Sequence, residues 1–537
     1  MTHSPMRYLQ LVSALLVGFL TCASASAVDF NWNVAGPADW NDGANWNPAG
    51  PPSGGGGNAA FVNNGGTAEI SGDIADIQDI FVGDAGGTGT LNQSAGNTFQ
   101  GTGSWMFVGQ DAGSVGTYNL SGGTQGKDRL YVGQDGGTGT LNLSGSGVVG
   151  GGLLIVGVNG GSGTVAITET GSAQTSGNVE FHNASMSMTD DGLIDSGNEV
   201  WFGNGGGNST TADIDSGVVE ADTWIAIGRD GATGVVNLSG DAVMRKVAVN
   251  DGDDGNLTNS ERSFITLGGV GSGGKGTLNI SGNAIVESDT GMTVGESSNN
   301  TGIVNQSGGT VTVHDWTPAV EGNQPFGYSL TIGTELQDGS QNTGDNEYVL
   351  SGGTLNAETI VLNHGLFKKT GGVLNFTGFE MNGGTLSADV FPSDLVQDGG
   401  TTSPGNSPGT MTITGNYSLN SGDLFMEIEG TGAGTGYDQL IVTGDVSLAG
   451  DLTLAGAYVP VFGESFTLID NQGSNAISGG FTGLAEGSTV VFNGVGLSVS
   501  YLGGDGNDFV LTAVPEPAAL ALLAIGSLGW IVRRRRR

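Results

Sequence analysis

Val132-Gly133-Gln134-Asp135-Gly136-Gly137-Thr138-Gly139-Thr140-Leu141-Asn142-Leu143-Ser144-Gly145 is the clearest copy of a unit that recurs along the chain. It holds an apolar-Gly pair, a glycine-rich turn, and then Gly-Thr-Leu-Asn-x-Ser-Gly. Within it the two leucines alternate with Thr140, Asn142 and Ser144, the period-2 pattern of a strand with one buried face. The turn falls on Asp-Gly and Gly-Gly, where positive φ is needed.

The same unit recurs along the chain. Val82-Gly83 leads to Gly89-Thr90-Leu91-Asn92-Gln93-Ser94, and Val108-Gly109 leads to Gly116-Thr117-Tyr118-Asn119-Leu120-Ser121. Further copies start at Val156-Gly157, Phe202-Gly203, Ile227-Gly228, Leu267-Gly268, Val294-Gly295 and Ile332-Gly333, with Phe181-His182 as a degenerate one. From Gly83 the steps are 26, 24 and 24 residues. Longer gaps contain polar insertions at 250–262 and 315–328. A near-constant period with insertions at turns is the signature of a solenoid. We therefore expect an all-β fold: a right-handed parallel β-helix or β-solenoid with coils of about 24 residues. Leucine, valine and isoleucine stack inside. Asn92, Asn119, Asn142, Asn237, Asn279 and Asn305 are expected to align as a hydrogen-bonded ladder.

Composition agrees with a folded, repetitive β protein. Glycine is 103 of 537 residues with only 13 prolines and no G-X-Y period, which excludes collagen. The formal net charge is -38. Such a surface repels nucleic-acid phosphates and anionic lipid, so no nucleic-acid partner is expected. The single cysteine, Cys22, lies near the N-terminus, and extensive β pairing must replace disulfides.

The two ends read as export signals. Arg7, an apolar run over 9–20 and the small-residue site Ala25-Ser26-Ala27 form a signal peptide over 1–27, cleaved before Val28. A lipoprotein reading of Cys22 is poorer, because Thr21 precedes it. At the other end, Val514-Pro515-Glu516-Pro517 is followed by an apolar run over 518–532 and arginines 533–537. That run gives a short hydrophobic helix of roughly 22 Å, less than a hydrocarbon core of about 30 Å. The arginines stay on the cytoplasmic side. The segment 514–537 resembles the PEP-CTERM protein-sorting tail. The resemblance implies a Gram-negative-type envelope, transient membrane insertion and removal of the tail by an exosortase, with Val514, Pro515, Glu516 and Pro517 as the recognition element. The competing reading is a permanent anchor.

Between the signals we expect an N-terminal cap over 28–79, solenoid repeats over 80–400 and a C-terminal β region over 401–513. Trp32, Trp40 and Trp46 mark the cap, which covers the first solenoid edge. Sugar stacking on exposed tryptophans is the alternative. The C-terminal region shows longer strands at 411–419, 424–428, 439–442, 446–454, 465–469 and 509–512. Its entry, Ser403-Pro404-Gly405-Asn406-Ser407-Pro408-Gly409-Thr410, and Tyr437-Asp438-Gln439-Leu440 resemble the passenger-type β-strand repeats of autotransporters. The departure is that no β-barrel translocator follows.

Catalytic material is sparse. His182, His314 and His364 show no metal-ligand spacing, and basic residues are scattered. The expectation is no catalytic residue, no firm metal site and no enzyme activity. Two loops have calcium echoes. Asp505, Asn507 and Asp508 belong to one copy of a glycine-rich nonapeptide that binds ions between tandem copies. Asp254 and Glu261 fall at positions 5 and 12 of an EF-like loop over 250–261, which has Gly252 where a ligand belongs. No cofactor is expected, with Ca²⁺ as the hypothesis to test. The leading function is an exported non-catalytic structural or adhesion protein of the cell surface, outer envelope or extracellular matrix, partnered by an exosortase and by exopolysaccharide. A polysaccharide lyase or hydrolase on the same scaffold is the alternative. Ice binding is weaker still, because the threonine column Thr90, Thr117, Thr140, Thr164 and Thr277 is interrupted.

Overall fold

A computed structural model describes residues 27–98, 103–247, 264–296, 299–315, 330–334, 342–406 and 408–515. Ala25 and residues 1–26, the loop with Asp254 and Glu261, and the tail from Glu516 and Pro517 onward lie outside the described residues. Among the described residues the chain is all-β, and the one helix is the 3-10 turn Gly43–Asn45.

The core is a stack of coils joined by parallel ladders. Trp105–Gln110, Arg129–Gln134 and Leu153–Val158 form one ladder, pairing Val108, Val132 and Val156. Thr88–Ala95, Val115–Gln125, Thr138–Gly151 and Ser162–Ile167 form a second, pairing Leu91, Tyr118, Leu141 and Val165. A third pairs Gln125, Val149 and Ala173. Leu141, Leu143 and Val132 are fully or almost fully buried. Each such side chain contributes about 1.5–3 kcal/mol of apolar burial.

The repeat glycines are required by this stacking. Gly133 has φ 72°, and a Cβ there would stand 2.1 Å from the Ser162 carbonyl oxygen of the next coil. A Cβ on Gly139 would lie 2.2 Å from the Val108 carbonyl oxygen of the preceding coil. The two glycines of the repeat therefore mark where successive coils touch backbone to backbone. Asp135 (φ 50°) and Gly136 (φ 87°) form the intervening turn, a conformation that Asp and Gly tolerate best.

The asparagine ladder forms in two runs. Asn119 donates to Asn92 at 2.8 Å and Asn142 to Asn119 at 2.7 Å. Ala166 and Ser187 then interrupt the column. Asp213 restarts it by accepting from Asn237 at 2.6 Å, and Asn279 and Asn305 extend it. The interior also holds polar pairs. Tyr118 donates to Gln93 at 2.6 Å, Tyr348 to Gln306 at 2.7 Å and Tyr417 to Gln397 at 2.9 Å.

The ladders run beyond the legible repeat at both ends. Gly54–Val62 and Asn64–Ser71 already form a coil, pairing in parallel with Ile77–Val82 and Thr88–Ala95. Trp32, Trp40 and Trp46 are buried beneath it rather than presented to solvent, with edge-on ring contacts at 4.9 and 4.7 Å. Past residue 401 the coils continue through Asp423–Glu427 and Asp451–Ala455. The run over 411–419 is broken at Thr414-Gly415-Asn416 into Thr410–Ile413 and Tyr417–Leu419. The stack closes on antiparallel strands: Ser465–Asn471 pairs with Asp508–Ala513, which pairs with Val495–Gly503 and then Thr489–Phe492. The switch in direction ends the parallel stack and leaves the short strand Thr489–Phe492 as the edge.

Candidate functional site

Outward positions of the first ladder collect the most elaborate side-chain chemistry. At the N-terminal side they form an aromatic column. Phe61, Phe81, Phe107 and Tyr131 stack nearly parallel, at 4.6, 4.8 and 5.2 Å between ring centres. Trp105 packs edge-on against Phe107 and Tyr131, and it is 38% exposed. The Arg129 guanidinium lies 5.5 Å from its ring centre. Because these rings face one another along the coil axis, Trp105 is the large aromatic surface the column leaves open.

Farther along the same ladder a charged cluster replaces the aromatics. Val179–Phe181, Val200–Asn204 and Ile225–Arg229 pair in register, placing Glu180 beside Trp201 and Asn204 beside Arg229. His182 bridges the Glu180 carboxylate at 3.1 Å and the Asn204 carbonyl at 3.2 Å. Arg229 pairs with Glu199 at 2.9 Å and lies 4.3 Å above the Trp201 ring. The Trp201 indole N–H also donates to Glu199 at 2.5 Å. Trp224 flanks Arg229 at 6.0 Å. One further carboxylate closes the group: burial pushes Glu296 up, while the Val270 N–H and Arg229 pull it down. The cluster thus couples each charge to an opposite charge, an indole or a carbonyl. Residues 180 to 296 had no linear motif, but they share an offset. Asn204, Arg229 and Glu296 each follow a repeat glycine, and His182 stands where its neighbours have that glycine.

The remaining predicted positions are dispersed. His314 meets Glu358 at 3.2 Å on an exposed edge. Asp505, Asn507 and Asp508 form the turn of the hairpin Val495–Gly503 and Asp508–Ala513. There the Asp508 carboxylate accepts the Asn471 N–H at 3.0 Å, and burial raises its pKa. Asn507 donates to the Gly473 carbonyl at 2.8 Å. Among the described residues no three His, Cys, Asp or Glu side chains are grouped as a metal's ligands would be. An open groove of about 520 Å³ lies near this hairpin, lined by Phe481, Leu484, Glu486, Tyr501 and Leu502. Its polar groups are engaged internally: Glu486 accepts the Tyr501 N–H, and the Tyr501 hydroxyl donates to Leu484. The threonine column is longer than its repeat suggests. It runs unbroken from Thr67 through Thr90, Thr117 and Thr140 to Thr164, then passes to Ser185, Thr211 and Val235.

The C-terminal exit is the last element. Asp508–Ala513 ends the folded body, and Val514 donates its N–H to Gly496 at 2.9 Å. Val514 and Pro515 are described, and the rest of the sorting element is beyond them. Among the described residues no helix is long and apolar enough to cross a membrane.

Residues 513–537 match the family model of the PEP-CTERM protein-sorting motif. The motif marks an exported protein sorted through its C-terminus and recognised by an exosortase. No curated protein matches the chain.

Proposed function

We propose that this protein is a non-catalytic structural or adhesive component of the cell surface or extracellular matrix, built on a right-handed parallel β-helix. The observation that supports sorting and release of an intact body is the junction at Ala513. The last strand, Asp508–Ala513, closes the antiparallel cap, and the sorting motif begins at that residue. Exosortase cleavage after the cap leaves the hydrogen-bonded body whole. A right-handed coil is the hand that parallel crossovers adopt. The exposed Trp105 face and the outward threonine column supply a surface for exopolysaccharide. Intact-mass analysis of the native exported product, with its cell fraction, tests the reading. A chain starting near Val28 and ending near Val514, outside the inner membrane, is expected. A product that keeps residues 518–537 in the inner membrane would overturn it.

The second reading is a polysaccharide-active enzyme, favoured by one feature, the convergence of Glu180, Glu199, His182 and Arg229 beside Trp201. A screen of neutral and anionic polysaccharides for both binding and cleavage separates the two. Cleavage that Glu199→Gln abolishes, with melting unchanged, would replace the structural reading.

A further inference from the structure

The pole of the molecule from which the chain leaves for its sorting tail carries an unusual loop. Residues 456–463 read Gly456-Ala457-Tyr458-Val459-Pro460-Val461-Phe462-Gly463, with no charged side chain in a protein of net charge -38. Val459, Val461 and Phe462 are 57%, 62% and 70% exposed. Val491, on the neighbouring edge strand Thr489–Phe492, is 71% exposed.

The loop is held in place. Glu464 accepts from the Tyr458 hydroxyl at 2.9 Å and from the Val461 N–H at 2.8 Å, and Glu429, at the loop's base, accepts the Ala457 N–H at 3.1 Å. Asn493 donates to the Gly456 and Tyr458 carbonyls at 3.0 and 2.8 Å. Gly463 donates to Ala513 at 3.0 Å, and Ala513 donates to Glu464 at 2.8 Å. Strand directions agree. The start of Ser465–Asn471, the end of Asp508–Ala513, the start of Val495–Gly503 and the end of Thr489–Phe492 all meet at this edge. Val514 leaves from the same edge, hydrogen-bonded to Gly496.

We infer that this pole is a membrane-docking surface, its occupant the net-neutral interfacial layer of a zwitterionic bilayer. The inference rests on the sorting-tail reading. The argument is one of chain length. The apolar run starts at Ala518, and the four residue steps from Val514 span at most about 14 Å. The interfacial layer is itself about 5–8 Å thick on each side. When residues 518–532 enter the hydrocarbon core, Val514 is tethered within about 14 Å of it, which brings the 456–463 loop at the same edge within reach of the headgroups. Its exposed valines and phenylalanine make that contact favourable, since apolar side chains embed about 5–10 Å into this layer. The uncleaved precursor is thus oriented pole-down, with the sorting motif at the bilayer surface.

The test uses the chain from Val28 to Arg537, which contains no cysteine. Phe462→Cys and Val459→Cys are each labelled with an environment-sensitive fluorophore. Val115→Cys, a 45%-exposed site on the solenoid flank, is the reference. On reconstitution into phosphatidylcholine vesicles, sites 459 and 462 are expected to shift to the blue and be quenched by a lipid-borne quencher, while site 115 does neither. If the protein floats with the vesicles but 459 and 462 behave like 115, the docking surface is refuted and the tail reading survives. If it does not float, the tail reading fails and the docking surface with it. A blue shift already present before lipid is added would mean that residues 518–532 or a second copy covers the loop, and would also overturn the inference.

Discussion

The middle coils and the C-terminal pole solve one problem in opposite ways. In the middle, every strand edge is covered by a near-copy of itself: Val132 lies between Val108 and Val156, and Asn119 between Asn92 and Asn142. At the pole the parallel stacking gives way to antiparallel pairing through Val495–Gly503 and the edge strand Thr489–Phe492. Repetition makes each interior residue answer to the same residue one coil away. The cap answers to no repeat, so its side chains are free to differ, and there the uncharged loop 456–463 occurs. In a stack where each coil contacts mainly its neighbours, damage should stay local in the middle and propagate from the ends.

The largest loss is expected at a coil-to-coil contact. Gly133→Val places a branched side chain at φ 72° and against the Ser162 carbonyl. The expected loss exceeds about 4 kcal/mol, because a strained backbone and a steric clash act together. Hydrogen exchange should show it confined to the coils around residues 109–163. Exchange rising uniformly to residue 513 would contradict the local picture. Next in size is the N-terminal cap. Trp46 is 1% exposed and donates to the Trp40 carbonyl at 2.8 Å. Trp46→Ala should cost about 3–5 kcal/mol, and chemical denaturation should show the first coils opening before the body.

The same contrast explains what could be read from the sequence. Gly133 and Gly139 announced the coil because stacking forbids a Cβ at both, so the period survives in most copies, with His182, Ala184 and Thr210 as departures. The aligned asparagines were legible for the same reason. The first coil, Gly54–Val62 with Asn64–Ser71, was not, since it lacks the Gly-Thr-Leu-Asn pattern and pairs through Ala60, Val62 and Ala68. Two cap strands, Thr489–Phe492 and Val495–Gly503, were also missed. They pair by a local hairpin that no repeat marks. The cluster around Arg229 escaped because its members are distant in sequence and join only when coils stack. Aligning the copies on the repeat glycine would have exposed Asn204, Arg229 and Glu296 as one column.

Interior polar pairs sharpen the comparison at smaller cost. Tyr118 is fully buried with its hydroxyl on Gln93, whose amide in turn donates to the Gly96 carbonyl at 2.8 Å. Tyr118→Phe strands the Gln93 carbonyl oxygen and should cost about 1–3 kcal/mol. Equilibrium denaturation checks this. A neutral result would mean the pair contributes no more than its ring packing.

pH separates the regions more gently. Burial is the first cause raising Asp79, Asp84, Asp195, Asp222, Glu296, Asp423 and Asp508 above the usual carboxylate range. Glu358, lowered chiefly by its hydrogen bond to His314, is the opposing case. A carboxyl that holds its proton more tightly when folded stabilises the fold as pH falls through the window above its unfolded value. The melting temperature should therefore rise as pH falls toward the unfolded carboxyl values of about 4. On the alkaline side, burial pushes Lys127 down to about 8 against the pull of Asp76 and Asp79. Its proton is bound more weakly when folded, so stability should climb from pH 8 until free tyrosines begin to ionise near about pH 10. Lys127→Met should flatten that alkaline rise and leave the acid one intact.

The smallest expected effect is at the 503–508 turn, where the pole and the repeat reading disagree most directly. A glycine-rich calcium nonapeptide works by stacking on another copy, as the middle coils stack. This one is a single antiparallel turn whose Asp508 carboxylate is committed to the Asn471 N–H. Asp508 is also raised by burial and by Asp470 and Asp505, which opposes the ionised state an ion requires. Asp505 itself is exposed. Melting curves in millimolar calcium and in chelator should superimpose, and Asp505→Asn should change neither. A calcium-dependent rise that Asp505→Asn removes would show that the lone turn binds the ion without a stacked partner, and that the pole borrows from the repeat after all.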